Sequence, residues 1–289
     1  MIRLEDDVDV AGSLEFIRRS GDDLLDRWDG QHLLRTVRRN GRSMAFGITF
    51  SKSNAGLQLS VEMDGDRDPN IVVEAASRTF APLPTSFSSL LSRDRVLASL
   101  HARFPSLRPV LQHDVLLALV RSISAQQVNL RWAATIRARL AETYGLQHEV
   151  GAKTVYSLSA SRLAEAQPSE LRRLQLTMRK AESVIGVAQD VAAGRLEVAA
   201  LQDMDDQEVI ERLTCLKGIG LWSAEWFLCR TLGRPRVAAG DLGVRKAVGR
   251  AYLDGAMPSE QQVREIAMDW GESASIAQTL LLHGLALGS

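Results

Sequence analysis

Over the first part of the chain, apolar and polar positions alternate, which is typical of strands that bury one face. Leu57, Leu59 and Val61, for example, are each followed by a polar residue. The pattern predicts a short helix over 9–19 and strands over 32–39, 43–51, 56–63 and 71–76. Turn-forming residues separate these strands at Asn40-Gly41, Ser53-Asn54-Ala55 and Asp64-Gly65-Asp66. We therefore predict a small antiparallel β-sheet domain with short helices over residues 1–90.

From residue 91 onward, apolar residues recur at three- and four-residue spacing, which predicts amphipathic helices. The helices predicted by this spacing run over 114–125, 128–144, 169–173, 178–193, 206–215, 222–232, 242–252, 259–268 and 273–287. Gly145, Gly194 and Gly233 follow three of them, as glycine often does at a helix end. The prediction is an α+β protein in which a mainly α-helical domain over 91–289 follows the small sheet domain.

Composition excludes several classes of protein. The 289 residues are 45% hydrophobic and 24% charged, as in an ordinary globular protein and unlike a disordered chain or a coiled-coil rod. No apolar run reaches the roughly 18–20 residues that span a bilayer, and the acidic N-terminus lacks the pattern of a secretory signal. The two cysteines, Cys215 and Cys229, are too few for a disulfide framework or a four-cysteine iron–sulfur site. We expect no membrane association and a reducing cytoplasm.

The distribution of charge is more informative than its sum. The chain carries 35 basic and 35 acidic residues, a net charge of zero, which by itself argues against a nucleic-acid partner. Residues 212–250, however, contain eight basic and only two acidic residues, a net of +6 in 39 residues. Both a solvated basic face and a phosphate-binding surface fit this excess of positive charge.

A glycine turn lies at the start of this basic region. Gly218 and Gly220 flank Ile219, so the chain can reverse tightly and expose backbone N–H groups with no side chain above them. The turn opens a helix, and its N–H groups and helix dipole suit an anionic phosphate oxygen. An ordinary turn between two helices has the same sequence pattern. Further along, Asp241 is a predicted N-cap for the helix over 242–252.

The whole motif resembles the helix–hairpin–helix DNA glycosylase superfamily (HhH-GPD). It reads Leu-x-Gly-Ile-Gly-x-Trp-Ser-Ala over 216–224, followed by a Gly/Pro-containing loop and by Asp-Leu-Gly 19 residues after Trp222. Residues 121–129, Arg-Ser-Ile-Ser-Ala-Gln-Gln-Val-Asn, resemble a helix junction of AlkA-like 3-methyladenine DNA glycosylases, and 5–85 resemble their sheet domain. The resemblance implies a two-lobed helical core and a double-stranded DNA partner that contains damaged bases.

The resemblance also implies how DNA is held. The backbone amides of the hairpin would bind a DNA phosphate, at Lys217, Gly218, Ile219 and Gly220. No cofactor is required, but a structural Na⁺ or K⁺ would lie on the backbone carbonyls of Thr214, Leu216 and Ile219. Gln127 matches the wedge that fills the gap left by an extruded nucleotide, although a helix-junction hydrogen bond is the alternative. Arg245 and Lys246 are further expected DNA contacts.

Asp241 is the catalytic residue that the resemblance implies. Its carboxylate would lie beside C1′ of the flipped nucleotide and stabilise the positive charge that develops on the sugar as the N-glycosidic bond breaks. The expected substrate pocket is lined by Trp222, Trp226, Phe16 and Leu282. A tryptophan face attracts a positively charged N-alkylated purine. The alternative for both tryptophans is a place in the hydrophobic core.

Trp222 also bears on the mechanism, because relatives that cut the DNA backbone carry a lysine at this place. The absence of this lysine predicts a monofunctional enzyme that uses water to release alkylated purines of the 3-methyladenine type and leaves an abasic site. The resemblance places such an enzyme in base excision repair. We expect it to be a monomer in the cytoplasm, associated with the nucleoid. The alternatives are a bifunctional glycosylase/lyase, a non-catalytic DNA-binding module and a helical protein-interaction domain. Residues 270–275 lack an aromatic and an arginine typical of AlkA-like proteins, so 3-methyladenine, 7-methylguanine, ethenoadenine and hypoxanthine all stay open as preferred bases.

Overall fold

An antiparallel sheet forms the N-terminal part of the molecule. The structure is a computed structural model that describes residues 1–4, 7–53, 56–65 and 68–288. Its first strands are β1 (Ile2–Leu4), β2 (Arg27–Trp28), β3 (His32–Arg39), β4 (Arg42–Ser53) and β5 (Gly56–Met63). They pair in the order β1-β5-β4-β3-β2, and every pairing is antiparallel. The strands predicted over 32–39, 43–51 and 56–63 are thus confirmed, whereas Asn54, Ala55 and Asp66 of the predicted turns lie outside the described residues.

Local sequence determines the register of the central hairpin. Arg39 of β3 pairs with Arg42 of β4 across a two-residue loop. Asn40 and Gly41 in that loop have φ values of 50° and 71°. Positive φ at both positions is what a type I′ turn requires, and its twist matches the twist of the flanking strands.

The predicted strand over 71–76 is wrong, because these residues belong to helix α2 (Pro69–Ser77). Asp68 caps this helix by accepting a hydrogen bond from the Asn70 amide at 3.0 Å, and Pro69 occupies its first turn. Val72 and Ala76, four residues apart, are fully buried against the sheet. The β-branched residues at 71–73 fit a strand locally, but the cap and the four-residue spacing of buried positions favour a helix.

The remainder of the chain is mainly helical. Its helices are α1 (Val10–Ser20) before the sheet, and then α3 (Phe87–Arg93), α4 (Arg95–Arg103), α5 (Val115–Ala125), α6 (Leu130–Tyr144), α7 (Ala160–Glu165), α8 (Pro168–Arg173), α9 (Met178–Ala192), α10 (Val198–Gln202), α11 (Asp206–Thr214), α12 (Leu221–Arg230), α13 (Leu242–Tyr252), α14 (Glu260–Met268) and α15 (Ala274–Ala286). All predicted helices are present with small shifts at their ends. Among the described residues, no helix is both long and apolar enough to cross a membrane.

A second hairpin interrupts the helical part, which the sequence pattern did not indicate. Gly145 ends α6 as predicted, but β6 (Gly145–Val150) and β7 (Lys153–Leu158) follow it as an antiparallel pair. Val150 and Val155 bury their side chains against Leu34 and Ala45 of the first sheet. The sequence pattern predicted neither helix nor strand over 145–158, because these short segments are strands only in contact with the sheet that they cover.

Two hydrophobic clusters divide the helical part into two lobes. The first is built mainly from α5, α6, α9, α11 and α12. The second joins α3 and α4 with α13, α14 and α15, which come from opposite ends of the helical region. The chain crosses between the lobes directly after α12, and Trp226 on α12 already packs against the second cluster. The predicted α+β, two-lobed fold is confirmed, and the crossing places the end of the glycine-turn motif where the lobes meet.

A buried ionic network attaches the sheet part to the first lobe. Asp26 contacts Arg35 at 2.9 Å and Arg121 at 3.0 Å, and Asp23 contacts Arg121 and Arg137, each at 2.8 Å. Burial acts to raise the pKa of both carboxyls, but the surrounding arginines outweigh it and hold each pKa below its ordinary value. Both carboxylates are 2% exposed, and the arginines are the charges that keep them ionised inside the protein.

Candidate functional site

The glycine turn joins α11 to α12, and its two glycines serve different purposes. Gly218 has φ of 83°, and a Cβ there would lie 2.1 Å from the Ser183 hydroxyl oxygen. A side chain at this position would therefore be strained and would collide with α9. Gly220 has an ordinary φ of −107°, and a Cβ there would meet nothing within 4 Å. Gly220 thus leaves open space directly in front of the helix that it begins.

The amides at the start of α12 border this open space. Gly220 is the N-cap of α12, and among the described residues no side-chain cap bonds the N–H groups of the first turn. The Ile219 amide is not available in the same way, because it donates to the Leu216 carbonyl at 3.1 Å. Lys217 lies beside the turn, 65% exposed and paired with Glu182 at 2.7 Å. The positive end of the α12 dipole and a basic side chain therefore meet at one exposed point.

The carbonyls predicted to hold a monovalent cation belong to the same turn. Thr214 is the last residue of α11, and among the described residues neither its carbonyl nor that of Ile219 accepts a backbone hydrogen bond. The Leu216 carbonyl accepts one, from Ile219. Carbonyl oxygens at a helix C-terminus carry partial negative charge, so this donor set fits a hard cation.

Gln127 occupies the turn between α5 and α6. It is exposed and has φ of 56°, which is uncommon for a residue other than glycine. Two neighbours hold this turn in place. The buried Lys180 ammonium donates to the carbonyls of Ser124 at 3.1 Å and Gln126 at 2.6 Å. The side-chain amide nitrogen of Gln126 donates to the Gly218 carbonyl at 2.9 Å. The turn that carries Gln127 is therefore attached directly to the glycine turn.

Sequence reasoning did not identify Lys180 or Gln126 as part of this arrangement. Burial lowers the pKa of Lys180 from its ordinary value, and among the described residues no carboxylate pairs with it. One signal was present in the sequence, because Lys180 is a charged residue inside a helix whose neighbours Ala181 and Val184 are fully buried.

Asp241 is held by three donors. It is the N-cap of α13, and its Oδ1 accepts from the Val244 amide at 3.0 Å. Its Oδ2 accepts from the indole N–H of Trp222 at 3.0 Å and from that of Trp226 at 3.3 Å. The two tryptophans, one helical turn apart on α12, thus reach across from one lobe and fix a half-buried carboxylate at the start of the other. The sequence analysis predicted both tryptophans as residues of the pocket wall and did not indicate these hydrogen bonds.

Of the other expected pocket residues, one lies beside this carboxylate and the other is linked to it only indirectly. A Cβ added to Gly243 would lie 3.0 Å from Oδ1 of Asp241 and 3.3 Å from Leu282, so Leu282 on α15 is a close neighbour of the carboxylate. Phe16 on α1 is 41% exposed. It faces the guanidinium of Arg230, whose central carbon is 5.7 Å from the Phe16 ring centroid and 5.4 Å from that of Trp226. Phe16 is therefore connected to Trp226 through an arginine that sequence reasoning counted only as positive charge.

Arg245 and Lys246, the two remaining predicted contacts, differ in environment. Arg245 is half-buried and donates to the Pro258 carbonyl at 2.8 Å, so it holds the loop after α13. Lys246 is exposed.

The sequence of this chain matches a known protein family. The model of the HhH-GPD superfamily of base excision DNA repair proteins matches residues 120–273, and the chain belongs to that family. A DNA-3-methyladenine glycosylase of Bacillus subtilis (strain 168) is 27% identical over 195 residues, 67% of this chain and 64% of that protein. DNA-3-methyladenine glycosylase 2 of Escherichia coli (strain K12) is 31% identical over 111 residues, 38% of this chain and 39% of that protein.

The alignments thus span less than two thirds of these curated relatives' own lengths. A solved structure extends the similarity to the whole chain. The 3-methyladenine DNA-glycosylase from Archaeoglobus fulgidus superposes with a TM-score of 0.85 at 25% sequence identity. The superposition covers 99% of this chain and 98% of that one, so it includes the N-terminal sheet as well as both lobes.

Proposed function

We propose that this protein is a monofunctional DNA glycosylase that removes alkylated purines, of the 3-methyladenine type, in base excision repair. The observation that carries the proposal is the Asp241 carboxylate, which three donors hold half-buried where the two lobes meet. A carboxylate fixed in this way suits the stabilisation of a sugar cation, because its position does not have to reorganise during the reaction. The names of the relatives in Bacillus subtilis and Escherichia coli support the same activity.

The reaction begins with a nucleotide outside the duplex, since a stacked base cannot reach a carboxylate inside the protein. The exposed amides at Gly218, Gly220 and the start of α12 bind a backbone phosphate, and Gln127 enters the gap that the flipped nucleotide leaves. Extrusion costs a few kcal/mol, and this cost is smaller for a damaged or mispaired base. Selectivity for damage therefore arises partly before the base enters the pocket.

Cleavage of the glycosidic bond follows. The bonding electrons leave with the purine, positive charge develops at C1′, and Asp241 stabilises it. Water then adds its oxygen to C1′ and releases one proton to solvent, so the overall reaction is hydrolysis. Trp222 stands where an amine nucleophile would be needed, and its N–H group is engaged by Asp241. No covalent protein–DNA intermediate is therefore expected, and the product is an intact abasic strand.

We propose further that a Na⁺ or K⁺ on the carbonyls of Thr214, Leu216 and Ile219 stiffens the glycine turn, and that Lys246 contacts the DNA backbone. When bound, the cation supplies positive charge near the phosphate and takes no part in bond cleavage. The protein acts as a monomer on double-stranded DNA with damaged bases, in the cytoplasm at the nucleoid.

The proposal is tested with alkylated DNA and chemical trapping. The purified protein should release free methylated purine and leave strands that break only after alkaline treatment. With borohydride present, no protein–DNA adduct should form. Adduct formation would instead identify a glycosylase/lyase. Salt-sensitive DNA binding without base release would identify a DNA-binding module, and absence of DNA binding would identify a protein-interaction domain.

A further inference from the structure

Gln278 is a polar residue in the middle of α15, and it is almost completely buried. Its exposed fraction is 1%, and its neighbours Ala277 and Leu280 are fully buried. A polar side chain inside a protein is costly unless its donors and acceptors are paired. The hydrogen bonds that pair the Gln278 amide therefore indicate what this residue does.

One end of the Gln278 amide holds the loop that leads from α12 to Asp241. The side-chain oxygen of Gln278 accepts from the backbone N–H of Ala238 at 2.8 Å, and Ala238 is fully buried. The Ala238 carbonyl in turn accepts from the backbone N–H of Asp241 at 2.9 Å. Residues 231–241 form neither helix nor strand, so contacts of this kind determine where the loop places Asp241.

The other end of the Gln278 amide reaches back to α12. Its nitrogen donates to Sγ of Cys229 at 3.8 Å, and the Cys229 thiol donates to the Trp226 carbonyl at 3.4 Å. Burial raises the pKa of the Cys229 thiol to about 11, so at neutral pH the thiol keeps the proton that it donates. Gln278 thus contacts both the helix that carries Trp226 and the loop that carries Asp241.

These contacts close a ring of hydrogen bonds. Asp241 and Trp226 are joined directly, because the indole N–H donates to the carboxylate at 3.3 Å. They are joined a second time through Gln278, by way of Cys229 on one side and Ala238 on the other. Hydrogen bonds in a connected network support one another. The carboxylate is therefore fixed relative to the indole from two sides.

We propose that Gln278 is a positioning residue for base excision, which acts on the Asp241 carboxylate through the Ala238 amide. This inference rests on the proposed function and deepens it, because it explains what keeps the carboxylate aligned. A fixed charge stabilises a developing sugar cation best when it is already in place before the reaction. A misplacement of about 1 Å far from the chemistry can slow an enzyme about 100-fold.

The test compares two variants of Gln278 in single-turnover excision from a duplex with one alkylated purine. Gln278→Met keeps the length of the side chain and removes both hydrogen bonds. At saturating protein it should slow excision roughly 10- to 100-fold, while its affinity for an abasic-site duplex stays unchanged. Gln278→Glu keeps an oxygen acceptor for Ala238, so its excision rate should stay within about 3-fold of the parent rate.

Thr279→Val is the matched control. Thr279 is the next residue of α15 and is also buried, but its hydroxyl donates within the helix, to the Ser275 carbonyl at 2.8 Å. This variant should excise at the parent rate. An unchanged rate in Gln278→Met, or an equal slowing in Thr279→Val, would overturn the proposal. If Gln278→Met does not fold, Cys229→Ala decides, because it breaks the same ring at the sulfur: slower excision supports the proposal and an unchanged rate overturns it.

Failure of the glycosylase function itself is distinguishable, since the parent protein would then release no base. The contacts of Gln278 can be tested in that case too. Amide hydrogen exchange at Ala238 and Asp241 should be roughly 10-fold faster in Gln278→Met than in the parent protein. Equal exchange in the two proteins would show that Gln278 does not hold the loop, and would overturn the proposal.

Discussion

At the scale of single residues, the site depends on how one carboxylate is held. Trp222 and Trp226 each direct an indole N–H at Oδ2 of Asp241, while Val244 occupies Oδ1. Hydrogen bonds to a charged acceptor are stronger than neutral ones and fix its direction. The tryptophans therefore position the carboxylate.

Trp222→Phe tests this positioning role because phenylalanine keeps a ring and loses the donor. We expect excision under single-turnover conditions to slow about 10-fold, which corresponds to one charge-assisted hydrogen bond. Trp28→Phe, the same change in the sheet next to Phe50, should have no effect on excision. An unchanged rate in Trp222→Phe would show that the indole hydrogen bond contributes nothing to catalysis.

At the scale of elements, the glycine turn has separate structural and binding positions. Gly220→Ala should leave the thermal unfolding temperature unchanged, because a Cβ there meets nothing within 4 Å. The added methyl group should obstruct the approaching phosphate and weaken binding to an abasic-site duplex about 10-fold, with a smaller dependence of affinity on salt. Fluorescence anisotropy at several salt concentrations measures both quantities.

Gly218→Ala is the paired variant and should behave oppositely. Its Cβ would approach the Ser183 hydroxyl to 2.1 Å at a positive φ, so this variant should unfold at a lower temperature. If Gly220→Ala bound DNA as tightly as the parent protein, the phosphate site would lie elsewhere.

Lys180 connects the elements around Gln127. Lys180→Met removes two hydrogen bonds to the carbonyls of Ser124 and Gln126, while the desolvation cost of the ammonium disappears with it. We expect a small change in global stability but roughly 10-fold faster amide hydrogen exchange across 124–129. Gln127→Ala is the control, because it changes only an exposed side chain, and it should leave amide exchange across 124–129 nearly unaltered. If Lys180→Met exchanged there at the same rate as the parent protein, the role assigned to Lys180 would be contradicted.

Most helices and strands could be predicted from the sequence, because helix caps, turn residues and the spacing of apolar residues act locally. Asn40-Gly41 determines its hairpin turn, and Gly218 and Gly220 indicate the tight reversal before α12. The strands at 145–158 could not be predicted, because they are strands only in contact with Leu34 and Ala45 far away in the sequence. The contact between Phe16 and Arg230 could not be predicted either, because these residues are also far apart in the sequence.

At the scale of the whole molecule, the ionic network of Asp23 and Asp26 joins the sheet part to the first lobe. Both carboxyls have a pKa below the ordinary 3.8 in the folded protein, so their contribution to stability is complete above about pH 5. This contribution to stability declines as the pH falls below 3.8 toward the lower pKa values of the two carboxyls in the folded protein. The unfolding temperature should therefore drop steeply below about pH 4.

Asp26→Asn tests whether this ionic network causes the acid sensitivity, because it removes one of the two carboxylates. At pH 7 it should lower the free energy of unfolding by about 3–5 kcal/mol, because Arg35 and Arg121 lose a buried partner. The difference from the parent protein should shrink in acid, where the native carboxylate also becomes protonated. A constant difference between pH 7 and pH 3 would show that the network does not account for the acid sensitivity.

In the proposed function, the two lobes, the crossing between them and the glycine turn together present one carboxylate to an extruded nucleotide. Single-turnover base release by Asp241→Asn from a defined lesion duplex tests this account most directly. Asparagine is also a good N-cap, so the fold and the DNA affinity should be kept. We predict that excision slows about 100- to 1000-fold while binding to an abasic-site duplex is unchanged. Excision at the parent rate by this variant would contradict the account.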